Sequence, residues 1–148
     1  MTDARLLALY GSTTWGVDAP GGRLTVRHGV QAPHALRPSA IVTACNPASQ
    51  PHSPDENQRA DERLRGRIAA LGLAHWRTLA HGIDDDPVEA VRWDEPGWCL
   101  PGDTRDAAVA LGSDFGQNAI VWIDAAGVAT TVCTREGFCG ARVGEVVG

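Results

Sequence analysis

The chain has 148 residues, 43% of them apolar and 21% charged, the balance of an ordinary globular protein. A formal net charge of −5 excludes a basic nucleic-acid footprint. All 13 cationic side chains are arginine, which excludes a P-loop lysine, a Schiff-base lysine and a kinase-type strand lysine together.

The opening MTDARLLALYGS lacks both a basic leader and a long apolar run, so no signal peptide is expected. No stretch approaches the ~20 apolar residues of a membrane span. The expectation is a cytoplasmic protein with no membrane partner. Cys45, Cys99, Cys133 and Cys139 form no Cys-x-x-Cys pair. They read as buried small apolar residues, with no metal site and no cofactor implied.

Residues 3–10 read as a short helix with Leu6, Leu7 and Tyr10 on one side, stopped by Gly11. Thr13, Trp15 and Val17 alternate on one face of a strand. The turn at residues 19–22 and a second strand at 24–26 complete a hairpin. After a proline-containing loop, residues 40–45 are an unbroken apolar run, which suits a central strand buried on both faces. Ser53-Pro54-Asp55-Glu56 carries a capping box with proline at the first helical position. The stripe Ala60, Leu64, Ile68, Leu71 follows at helical spacing, with Asp61 among the outward residues, and Gly72 ends the helix. Residues 74–79 read as a strand, 81–96 as a polar irregular loop, and 98–100 as a short strand. Asp103 caps a second helix that ends at Gly116, residues 118–123 form another apolar strand, and a turn leads into a strand at 128–133. The glycine-rich tail from Arg135 is expected to be loose.

The order strand 39–45, helix 53–71, strand 74–80, strand 97–101, helix 103–115, strand 118–123 is βαββαβ. The expected fold is therefore α+β: a two-layer sandwich with a ferredoxin-like core, extended by an N-terminal hairpin and a C-terminal strand. A single domain over 1–148 is expected, with its core at about 10–134. With right-handed crossovers, the first and last core strands lie side by side and antiparallel. Three polar segments, 43–53, 84–95 and 117–118, then meet at one end of the sheet. Asn46 leaves a buried strand, and Pro47 after it favours an extended conformation there. Asn57 falls on the apolar stripe of the helix, and Gln117 and Asn118 open an apolar strand. Amides at such positions need all their hydrogen bonds satisfied. They either lock the loops together or hold a ligand, and a locked loop is itself a preorganised site. The helix N-terminus at Ser53 adds free N–H groups suited to an anion.

An ordered set of segments carries a resemblance: Tyr10-x-x-Thr13-x-Trp15-x-Val17, Thr43-Ala44-Cys45-Asn46-Pro47, Ser53-x-x-Glu56-Asn57, Trp93-x-Glu95 and Phe115-Gly116-Gln117-Asn118-Ala119. The set resembles a family of small bacterial proteins known only as a domain of unknown function. That family carries a Thr-Ala-Trp-Asn-Pro segment, a Ser/Glu-Asn helix start and a Gly-Gln-Asn-Ala strand. The resemblance runs from Tyr10 to about Trp122. Cys45 stands where the family has Trp, and Trp15 where it has Tyr. The resemblance implies no activity, only that the matched positions are the ones to test.

Asp84, Asp85 and Asp86 with His81 read as a solvated acidic turn rather than a cation site. Cys45, Ser49 or Ser53 beside His52 offers a nucleophile on paper, but no Gly-x-Ser-x-Gly elbow supports it. Glu56 is explained by the capping box, whereas Glu95 is not, so Glu95 is the better acid–base candidate. Trp122 reads as core, and Trp93 and Trp98 as lying around the candidate loop. The reading that results is a domain that binds a small polar or anionic molecule through Thr43, Asn46, Asn57, Gln117 and Asn118, with Glu95 as catalytic acid–base if it is an enzyme. The alternative is a non-catalytic interaction or regulatory module, with a homodimer among its forms and amides that serve the fold.

Overall fold

The computed structural model describes residues 2–84 and 91–148, with side chains for 2–82 and 94–148. Asp85 and Asp86 of the acidic run, and the side chains of Asp84 and Trp93, lie outside the described residues.

Thr2 starts α1 (Asp3–Ser12), its hydroxyl accepting the Arg5 N–H at 3.2 Å. The helix continues past Gly11, its expected stop, and closes with the Thr13 hydroxyl donating to Leu9 O at 2.7 Å. The chain then forms the hairpin β1 (Thr14–Ala19) and β2 (Gly22–Arg27). β3 (Ser39–Val42) is buried at every position, as its apolar run leads one to expect. Ser53 opens α2 (Pro54–Ala70) with both halves of the capping box in place. β4 (Trp76–Asp84) and β5 (Val91–Pro101) follow, then α3 (Arg105–Asp114), β6 (Ala119–Ile123), β7 (Ala129–Cys133) and β8 (Val146–Val147).

The eight strands form one antiparallel sheet in the order β2-β1-β4-β5-β3-β6-β7-β8. This is a mixed α/β architecture in which β3 lies between β5 and β6. Strand alternation divides the side chains between two faces. One face carries Val42, Trp98, Leu100, Ile120 and Val132 against Leu64 and Ile68 of α2 and Leu111 of α3. The other carries Trp15, Ile41, Cys99 and Val121, with Leu36 from the loop before β3.

Several expectations are corrected. Residues 81–96 are not an irregular loop; most of them extend a long hairpin in which Ala80 pairs with Glu95 and Asp84 with Val91. Cross-strand pairing overrides the local penalty of an acidic, proline-containing stretch, and the Pro96 carbonyl accepts from the Thr43 hydroxyl. Asp103 does not cap α3. Thr104 holds that place, and its hydroxyl donates to Leu100 O at 2.7 Å. Asp61 is buried rather than outward, because Arg77 of β4 grips its carboxylate with two hydrogen bonds of 2.9 and 2.8 Å. Trp98 faces the helices, where the Arg77 guanidinium lies 3.7 Å over its ring. The tail is packed: Phe138 is fully buried, Val147 pairs with Thr131, and Asp3 of α1 binds Arg135 and the Cys139 N–H.

Candidate functional site

On the sheet face opposite α2 and α3 lies a cavity of about 230 Å³, covered by Leu6, Leu9 and Tyr10 of α1. Its apolar wall includes Trp15, Ile41, Ala80 and Val121. Its polar end gathers Thr43, Asn46, Glu95 and Gln117, four of the residues the sequence singles out. Strand parity explains this convergence. Ile41 and Thr43 point the same way, and so do Glu95, Gly97 and Cys99. The pairing of Val42 with Trp98 then sets Thr43 beside the stretch that carries Glu95. A Cβ on Gly97 would stand 2.8 Å from Val42 O and 3.0 Å from Thr78 Oγ1, so only glycine lets β3 and β5 approach here.

Glu95 stands at the polar end of the cavity. The protein packed around its carboxyl pushes it up from 4.5 to about 7, against the opposing hydrogen bonds of Thr43 and Asn46. Near neutral pH it both holds and releases a proton, the condition for acid–base work. Asp94 reaches the same cavity and pairs with His81 at 2.6 Å.

Asn46 is held in an unusual way. Pro47 should keep it extended, yet it is left-handed, with φ 46° and ψ 63°. Ala48 and Ser49 also have positive φ, 54° and 59°. Each such non-glycine residue costs roughly 1–3 kcal/mol unless its surroundings fix it. The surroundings here are specific. The Asn46 N–H donates to Asn57 Oδ1, and Asn57 Nδ2 donates back to Asn46 Oδ1, both at 2.9 Å. The His52 N–H also donates to Asn46 Oδ1, and the Ala48 N–H donates to Gly116 O at 2.7 Å. The amide clasp overrides the proline's preference. Asn118 grips the other end of the turn: its Nδ2 donates to Ser49 Oγ at 2.9 Å and to the Tyr10 hydroxyl at 3.3 Å. Arg135 Nε donates to Asn118 Oδ1 at 2.6 Å. Gln117 Nε2 donates to Cys45 O and Phe115 O.

The five candidate binding residues therefore divide. Thr43, Asn46 and Gln117 line the cavity, whereas Asn57 and Asn118 stand behind it and fix the turn. Glu56 lies outside the lining and is occupied with Ser53, so it forms no pair with Glu95 there. The same capping box occupies the helix N-terminus that the sequence suggests for an anion. Burial pushes the Cys45 thiol up to about 11, far from a thiolate nucleophile at neutral pH. His52 sits 3.5 Å from Glu56. Tyr10, Trp15, Ser49, Thr78 and Asp94 also line the cavity. Sequence reasoning named none of them as a binding residue, although Ser49 and Asp94 lie in the polar segments it brought together and Tyr10 and Trp15 stand within the segments that carry the resemblance.

The profile of a family described as "Protein of unknown function (DUF3293)" matches residues 42–120, just over half of the chain. The chain belongs to the DUF3293 family. The stretch matched to DUF3293 contains every polar candidate, from Thr43 to Asn118, and leaves out the segment at 10–17. In this DUF3293 chain, α1 and β1 thus contribute the cavity's cover and Trp15 from outside the matched stretch. No curated protein and no solved structure matches the chain. Among the described residues, no helix is long and apolar enough to cross a membrane.

Proposed function

We propose that the protein binds a small molecule in the cavity between α1 and the sheet, and that Glu95 exchanges a proton with it. The observation that carries this reading is a carboxyl raised to about 7 at the polar end of a cavity whose walls include Trp15, Ile41, Ala80 and Val121. A cavity of about 230 Å³ suits a metabolite rather than a drug-sized ligand, for which ~300 Å³ is a lower bound. The strained turn at 46–49 supports the reading, since such strain persists where a side chain must be placed for a purpose. Asn57 and Asn118 act as positioning residues for that turn. We read the framework as a ferredoxin-like split βαβ, on the strength of the central order β4-β5-β3-β6.

The test is a thermal-shift screen of small metabolites against wild type and Ala80→Leu, a variant that fills the cavity. A ligand of the cavity raises the melting temperature of wild type and leaves a folded Ala80→Leu unmoved. A screen in which every shift is equal in the two proteins refutes the reading.

A further inference from the structure

The polar end of the cavity is uneven in its hydrogen-bonding chemistry. The Gln117 amide donates to two backbone carbonyls, which leaves Oε1 as an acceptor with no partner among the described residues. The Thr43 hydroxyl has one proton, shared between Pro96 O at 2.9 Å and the Glu95 carboxyl, and it accepts from the Cys45 N–H at 3.1 Å. The Asn46 N–H is taken by Asn57. Two carboxylates, Asp94 and Glu95, reach the space, and no Arg or His is among the described residues that line it. The Gln117 amide and the Asn46 N–H are thus spent, the Asn46 side-chain amide is directed at Glu95, and the Glu95 carboxyl and Gln117 Oε1 remain as acceptors. An anionic ligand would meet like charge there. A ligand rich in donors and positively charged would meet acceptors. The remaining wall is apolar and includes the Trp15 indole, whose ring face attracts a cation.

We infer that the ligand of this cavity is a small organic ammonium compound, its charged head against Glu95 and Gln117 and its compact apolar body between Trp15, Ile41 and the cover of α1. The inference rests on the binding reading above and replaces the small polar or anionic molecule expected from sequence by a cation. An empty cavity of about 150 Å³ accepts benzene, so a body of that size fits about 230 Å³ together with an amine head.

Three isosteric probes separate the outcomes: benzylamine, benzyl alcohol and benzoate, titrated calorimetrically into wild type and Glu95→Gln. At about pH 8 Glu95 is mostly carboxylate and benzylamine is an ammonium ion. The expected result is that benzylamine binds wild type at least about tenfold more tightly than benzyl alcohol, as a charge-assisted hydrogen bond implies. Benzoate should bind worst. The Glu95→Gln change should remove the preference for the amine. Lowering the pH to about 5.5 protonates Glu95 and should weaken benzylamine far more than benzyl alcohol. If benzyl alcohol binds as tightly as benzylamine, or benzoate binds best, the ammonium assignment is overturned while the cavity stands as a binding site. If none of the three binds, both the assignment and the binding reading fall.

Discussion

Replacing Glu95 by Gln should stabilise the protein at alkaline pH and leave it almost unchanged in acid. The folded state holds the Glu95 proton up to about pH 7, whereas the ordinary carboxyl releases it at 4.5. Between those values the folded chain binds more protons than the unfolded chain, so stability falls as pH rises. Integrated over the shift, the ionised carboxyl costs up to about 3 kcal/mol well above pH 7 and under 1 kcal/mol at pH 5. Gln has nearly the same shape, carries no charge, and offers Thr43 and Asn46 a donor and an acceptor. The stability difference between Glu95→Gln and wild type should therefore grow by roughly 2.5 kcal/mol from pH 5 to pH 8. Urea unfolding of both proteins across that range, followed by Trp fluorescence, measures it directly. A difference that stays flat with pH would show that Glu95 titrates as an ordinary surface carboxylate, and the acid–base role would go with it.

Asn46→Ala and Asn118→Ala should each lose about 1–3 kcal/mol in the same assay, because each leaves buried partners unmet. If both remain within about 0.5 kcal/mol of wild type, the clasp and the grip on Ser49 do not hold the turn. Tyr10→Phe removes a hydroxyl shared with Ser49 at 3.1 Å and Asn118 at 3.3 Å. Its effect on global stability should be under about 1 kcal/mol, but amide exchange in α1 should accelerate. Unchanged exchange there would show that the cover stays shut without the Tyr10 hydroxyl.

How much of this was legible in the sequence differs from element to element. The α2 boundary was readable because a capping box and a proline act locally, through bonds three residues apart. β3 was readable because a strand covered on both faces must be continuously apolar. The extension of β4 and β5 was hidden, since their pairing is non-local and their exposed ends carry no apolar alternation. The fate of Asp61 was hidden for the same reason: its partner Arg77 is sixteen positions away, on another element. The packed tail followed no local pattern either, because Phe138 finds its place only once α1 lies beside it.

At the site, residue type was informative and role was not. A carboxylate with no local explanation and an excess of amides near strand ends pointed to the end of the sheet where Thr43, Asn46, Glu95 and Gln117 line a cavity. They could not say which amide faces the cavity, because only the fold sets Asn57 and Asn118 behind it and Asn46 and Gln117 along its wall. Bonding within the protein and lining the cavity therefore coexist in Gln117 and Asn46. Three consecutive connections carry the argument: Asn118 and Asn57 fix a left-handed turn, the turn fixes Asn46, and Asn46 with Thr43 orients Glu95. A turn whose only task was to link β3 to α2 could place glycine at its left-handed positions at no steric cost. It would then lose the Asn46 side chain, the part of the turn that reaches the carboxyl. The strain and the amide clasp together make sense if a fixed orientation of Glu95 is what they serve.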